Sequence, residues 1–211
     1  MNNIPIKGML FSQWFNMLTF AKKIGMTQLF DEKGRLLPVT VVKVQKTVVA
    51  KKSENDSDRA FFAMVVDGAK TPKSITSAYK IEGIKKVVES KLDRSGEYKY
   101  GDEIKVDCFA TGDIVSVCAT SKGKGFAGTV KRHGFNTGPK THGSCNYRKP
   151  GSIGDTGPQK VVKGKRMGGK MGAKQVSVRD VEILRADTEN NNLWLKGPIP
   201  GPNKSVLIIK K

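Results

Sequence analysis

The sequence predicts a mainly β protein: a β-barrel or sandwich with a small α-containing insertion and one long, basic, glycine-rich loop. Three observations carry that expectation. Short β-branched runs separated by turn signals fill both ends of the chain. Between Ser121 and Lys174 the composition changes abruptly, to 13 of the 23 glycines, 13 Lys and Arg, and a single acid, Asp155. One window, Ser74 to Leu92, spaces its apolar residues as a helix does.

The elements follow in order. Residues 1–16 are read as an N-terminal extension ahead of a start at Met17. Met9 to Ala21 is apolar enough to resemble the core of a secretory signal. It holds Gln13 and Asn16, however, lacks a small-x-small cleavage site, and no arginine precedes Arg35. Leu18–Ile24 and Gln28–Phe30 are short apolar-rich strands, and Asp31-Glu32-Lys33-Gly34 supplies a turn. Leu36–Ala50 is dense in valine, with Lys43, Gln45 and Lys46 as polar breaks. Phe61–Val66 has the length of a buried strand. In Ser74–Leu92, Ile81, Ile84, Val87 and Val88 sit at helical spacing, interrupted by Gly83, which predicts a helix. Strand character resumes at Glu103–Phe109 and Asp113–Ala119, then again at Val176–Arg185, Leu193–Lys196 and Val206–Ile209. The expected organisation is a globular domain of residues 17–120 and 175–211, with its insertion near 70–100. Residues 121–174 then form an extension.

Charge selects the partner. The chain has 38 Lys and Arg against 19 Asp and Glu, a net charge of +19 and a pI near 9.9. A polyanion is the expected partner, nucleic acid ahead of a membrane surface. No apolar run approaches the roughly 18 residues that a membrane-spanning helix needs. Cys108, Cys118 and Cys145 form no CxxC pair and no even set, so a reducing cytoplasmic compartment fits better than a disulfide framework. The 121–174 segment has too few large apolar residues to offset the chain entropy of its glycines. It should order on a polyanionic scaffold that neutralises its lysines.

Two motifs point elsewhere and fail on context. Gly123-Lys-Gly125-Phe-Ala-Gly128-Thr-Val130 matches the glycine pattern of dinucleotide sites and of kinase phosphate loops. No apolar-faced helix follows it, Lys149 stands near where the ribose-binding acid belongs, and the other kinase motifs are missing. His133, His142 and Cys145 are spaced unlike any common zinc site and lie among Lys131, Arg132, Lys140 and Arg148, which oppose a cation. The only acid near the histidines is Asp155, so no nucleophile-base-orienter set can be built. No catalytic residue, metal, cofactor or small-molecule substrate is expected.

From Thr120 to Arg132 (TSKGKGFAGTVKR) the sequence closely resembles the bacterial form of the universal large-subunit ribosomal protein L-three family. Further matching stretches are Lys22–Thr27 (KKIGMT), Thr141–Ser144 (THGS), Pro150–Gly154 (PGSIG), Gly164–Gly172 (GKRMGGKMG) and Lys196–Gly201 (KGPIPG). The resemblance runs from about Met17 to the C-terminus. It implies a β-barrel of the translation-protein type, with an inserted part and a long central extension. It also implies a structural and assembly role in the large subunit, with that extension reaching through ribosomal RNA towards the peptidyl transferase centre. One position departs from the family. Many bacterial relatives carry a methylated glutamine after the GSIG stretch, where this chain has Asp155.

The expected partners are therefore large-subunit ribosomal RNA and neighbouring ribosomal proteins, in a cytoplasmic ribosome. The RNA-binding set is Lys122, Lys124, Lys131, Arg132, His133, Lys140, His142, Arg148, Lys149, Lys163, Lys165, Arg166 and Lys170. The cations would bind phosphate. Phe126, His133, Phe135, His142 and Tyr147 offer rings for unpaired bases. The charge by itself also permits a free-standing basic nucleic-acid-binding protein.

Overall fold

The computed structural model describes residues 17–52, 59–66, 68, 70–91, 99–157 and 159–211. The expected N-terminal extension lies outside them. In chain order the elements are β1 (Leu18–Phe30), β2 (Leu36–Val44), β3 (Thr47–Lys52), β4 (Arg59–Val65), α1 (Lys73–Tyr79), β5 (Ile84–Lys91) and β6 (Glu103–Ile104). A 3-10 turn at Val106–Cys108 follows, then β7 (Ile114–Thr120), β8 (Phe126–Ala127) and α2 (Thr129–His133). The chain ends with β9 (Gly169–Lys170), β10 (Gln175–Asp187), β11 (Asn192–Lys196) and β12 (Val206–Lys210). The fold is mainly β. It divides into two compact units, the described residues up to Ala119 with Val176–Lys211, and Thr120–Gln175.

In the first unit six strands close a barrel in the order β1-β12-β7-β10-β11-β2. Period-two alternation does the sorting: in β7 Val115, Val117 and Ala119 are buried while Ile114 and Thr120 are exposed. Phe20, Val42, Ile183, Leu193, Leu195, Leu207 and Ile209 complete the interior. Burying each such side chain is worth about 1.5–3 kcal/mol, which makes this cluster the main stabiliser of the unit.

A second, four-stranded sheet runs β5-β4-β3-β6. Val49, Phe62 and Met64 join the barrel's apolar cluster. Ala50, Ala63 and Ile84 form a smaller one, against which Ile75, Tyr79, Ile81 and Val87 pack.

Four expectations need correction here. Leu18–Ile24 and Gln28–Phe30 are one continuous strand, β1, whose pairing with β2 runs on to Phe30. The helix expected over Ser74–Leu92 covers only Lys73–Tyr79; Lys80 ends it in the left-handed conformation (φ 52°) and accepts no continuation. Ile84–Lys91 is a strand instead, pairing Phe62 with Val88 and Ala63 with Val87. Val87 serves the small cluster and Val88 the large one, so both faces of β5 are covered, and two-sided burial imitates helical spacing. Leu36–Ala50 is two strands, because the chain turns at Gln45-Lys46 to leave the barrel for the second sheet. Glu103–Phe109 keeps only two strand residues before the 3-10 turn, whose Val106 and adjoining Phe109 are buried.

Two motifs distant in sequence meet in the barrel. The pairing of β1 with β2 slips between Lys23 and Gly25, a bulge. Lys23 is buried, and its ammonium donates to the carbonyls of Ile199 (2.6 Å) and Gly201 (3.3 Å). Thr40 holds the other side of the same turn through the Gly197 carbonyl (2.7 Å). The KKIGMT and KGPIPG stretches thus build one device, a turn stapled by a buried lysine.

Candidate nucleic-acid interface

The second unit begins as a stem. Ser121 N–H donates to the Lys174 carbonyl (2.8 Å), Lys124 N–H to Met171 (2.9 Å) and Met171 N–H back to Gly125 (2.9 Å). Between those bonds β8 and β9 pair Phe126 with Lys170 and Ala127 with Gly169. One position in this stem admits no side chain: a Cβ on Gly172 (φ +73°) would collide with the Lys122 carbonyl. A Cβ on Gly169 would meet only the Arg132 guanidinium, the movable end of a flexible side chain. The GKRMGGKMG stretch therefore has a steric reason for Gly172.

Beyond the stem, α2 is a single turn that ends at Gly134 in the left-handed conformation (φ 70°), whose N–H closes on the Val130 carbonyl. Its last two residues reach the stretch that leads into β9. Arg132 Nη1 and His133 Nε2 both reach the Met167 carbonyl, each at 3.0 Å. A carbonyl only accepts, so Nε2 carries the hydrogen and Nδ1 is the ring's acceptor in the neutral form. Among the described residues of this unit only Ala127 and Thr129 are buried. Hydrogen bonds and glycine turns set its shape; no apolar core does.

All thirteen residues expected to bind RNA fall in this unit, and all but Arg132 and His133 are exposed. Lys122, Lys124 and Lys170 line the stem and Lys131, Arg132 and His133 the short helix. Lys140 lies over the Tyr147 ring, 5.2 Å from its centre. Lys165 closes a turn onto the Val162 carbonyl (3.2 Å) beside Lys163 and Arg166. His142 sits exposed in a left-handed turn (φ 59°) and, like Arg148, makes no hydrogen bond or ring contact with another of the thirteen among the described residues. Phe126 is 81% exposed. Asp155 accepts the Thr156 N–H (2.8 Å) and pairs with no lysine among the described residues.

A concavity of about 540 Å³ opens beside α2, with His133, Phe135, Lys149 and Arg166 in its wall. Asn136 and Asn146 line it as well. The charge and ring patterns did not mark these amides, since uncharged residues in a glycine-rich stretch carry no signal until the chain is folded. Among the described residues no three His, Cys, Asp or Glu side chains gather as metal ligands, and no helix is long and apolar enough to cross a membrane.

Residues 81–192 match the family described as Ribosomal protein L3. Over 196 residues, 90% of this chain, the sequence is 40% identical to the large ribosomal subunit protein uL3 of Heliobacterium modesticaldum, covering 93% of that protein. It is 43% identical over 196 residues to the uL3 of Halalkalibacterium halodurans, covering 90% of this chain and 94% of the relative. The chain belongs to the ribosomal protein L3 family. The L3 match takes in β5, β6, β7, the whole second unit, all of β10 and only the first residue of β11, so the basic unit lies wholly within it.

Proposed function

We propose that this chain is a structural component of the large ribosomal subunit, that it binds ribosomal RNA through the Thr120–Gln175 unit, and that it catalyses no reaction. Family membership supports the ribosomal assignment. The observation that carries the RNA assignment is the surface of the second unit: exposed cations, many glycines and one acid, on a frame without a core. Solvated faces normally mix signs. A surface with almost one sign is built for a polyanion. Lys and Arg displace counterions from phosphates, while the glycine backbone lets protein and RNA backbones approach. In this reading the unit is the extension that reaches through ribosomal RNA towards the peptidyl transferase centre. Neighbouring large-subunit proteins flank the barrel, and the whole works in the cytoplasm.

The test is the salt dependence of binding to a large-subunit RNA fragment. Changing Lys163, Lys165 and Arg166 together to glutamine should lower the slope of log affinity against log salt by about 2–3, near 0.9 per lost phosphate contact. An unchanged slope would remove those residues from the interface. Micromolar ATP or NAD should leave the melting temperature unmoved; a shift would revive the nucleotide-enzyme reading of the Gly123–Gly128 stretch.

A further inference from the structure

We propose that the concavity beside α2 seats one unpaired nucleotide of the bound RNA, its base against Phe135 and His133 and its phosphate on Lys149 and Arg166. This rests on the RNA-binding reading above and adds the class of nucleotide that the segment selects.

Size is the first argument. At about 540 Å³ the cavity lies within the ~300–1,000 Å³ of pockets that hold small organic groups. An A-form duplex cannot enter such a space, whereas a base splayed out of a loop or bulge can. Chemistry is the second. The His133 and Phe135 rings lie 6.0 Å apart with planes tilted by 42°, an apolar aromatic wall of the kind on which bases stack. The side-chain amides of Asn136 and Asn146 offer both donors and acceptors, as a base edge requires. Lys149 and Arg166 supply positive charge, and no acid lines the cavity. A bare phosphate would need only the two cations; the rings and amides are what a base adds.

The walls are also fixed before any ligand arrives. Gly138 N–H donates to the Tyr147 carbonyl (2.9 Å), tying the wall that contains Phe135 to the wall that contains Asn146. That contact is tight enough to bring a Cβ at Gly138 within 2.6 Å of the Asn146 carbonyl oxygen. The hydrogen bond from His133 to the Met167 carbonyl (3.0 Å) ties the first wall to the stretch that carries Arg166. A cavity pinned at two points loses little loop entropy on filling.

The experiment is fluorescence anisotropy with the full chain and two labelled RNA hairpins closed by a non-nucleotide glycol linker, one fully paired and one with a single bulged nucleotide, made with each of the four bases. The bulged hairpin should bind about ten-fold tighter, the scale of one base stacked on an aromatic side chain. Phe135→Leu, which keeps bulk but not the ring, should abolish that preference. The double variant Lys149→Gln, Arg166→Gln should weaken the bulged hairpin more than the paired one. An unaltered circular dichroism spectrum would separate these effects from misfolding. Equal affinity for the two hairpins, or a preference that survives both variants, overturns the pocket while leaving RNA binding intact. Failure to bind either hairpin overturns the RNA-binding reading, and the pocket with it.

Discussion

Single residues carry more of this fold than their types suggest. Lys23 would be expected on the surface, yet its ammonium is buried against the carbonyls of Ile199 and Gly201. Replacing it with methionine keeps the stem but strips those acceptors of a charged donor, a loss of about 1–3 kcal/mol. We predict a clearly lower urea midpoint for Lys23→Met; an unchanged midpoint would show that the Gly197–Gly201 turn holds without it. Gly172 makes a different kind of demand, since its φ of +73° and the nearby Lys122 carbonyl leave no room for a methyl group. Gly172→Ala should open the stem: trypsin should cut within 121–174 several-fold faster, while the barrel's melting temperature stays near the wild-type value. Equal cutting rates would contradict the steric account. At this scale the sequence revealed the cations, because charge is a property of residue type. It did not reveal Asn136, Asn146 or the burial of Lys23, because those roles exist only once distant segments meet.

Among the elements, the β strands of the barrel were legible wherever one face is buried and the other wet, as in β7. The signal fails where both faces are covered. β5 reads as a helix because Val87 and Val88 point to different apolar clusters, and the two-residue β6 is too short to show any period. The last barrel strand carries an electrostatic closure. The Lys211 ammonium bonds to the Asp113 carboxylate (2.5 Å), and the Lys211 N–H donates to the Met17 carbonyl (3.0 Å). Partial burial pushes the Asp113 carboxyl up, but the Lys211 hydrogen bond, the Ala110 N–H and the Lys211 charge together hold it below the ordinary value. A carboxyl lowered in the folded state contributes stability above its unfolded pKa of about 3.9 and loses it as pH falls through the folded value. Asp113→Asn should therefore destabilise the protein modestly at neutral pH and converge with wild type in strong acid. A gap between them that persisted or widened in strong acid would contradict this.

Over the whole molecule the sequence holds two materials, and the folded chain divides into two compact units, one built on an apolar core and one on hydrogen bonds and turns. The compositional break was readable from residue counts because residues 121–174 combine many cations and glycines with a single acid. The interior arrangement of the basic unit was not, since glycine-rich backbone has no periodicity to read. The two ends of that unit lie side by side, with Ser121 N–H bonded to the Lys174 carbonyl (2.8 Å), so a two-residue glycine turn can replace everything between them. We predict that this deletion leaves a cooperative unfolding transition of the first unit and abolishes entry into the large subunit. Normal incorporation would show that the barrel alone directs assembly.

The most direct test of a shape-locked RNA-binding extension is sedimentation of a tagged full chain through a sucrose gradient after a high-salt wash. Binding by six to ten phosphate contacts alone weakens by about 10³–10⁵ between low and moderate salt. We predict that the protein remains in the large-subunit peak, held by backbone packing and seated bases as well as by charge. Release to the top of the gradient would contradict that claim and leave a general basic nucleic-acid binder as the better description.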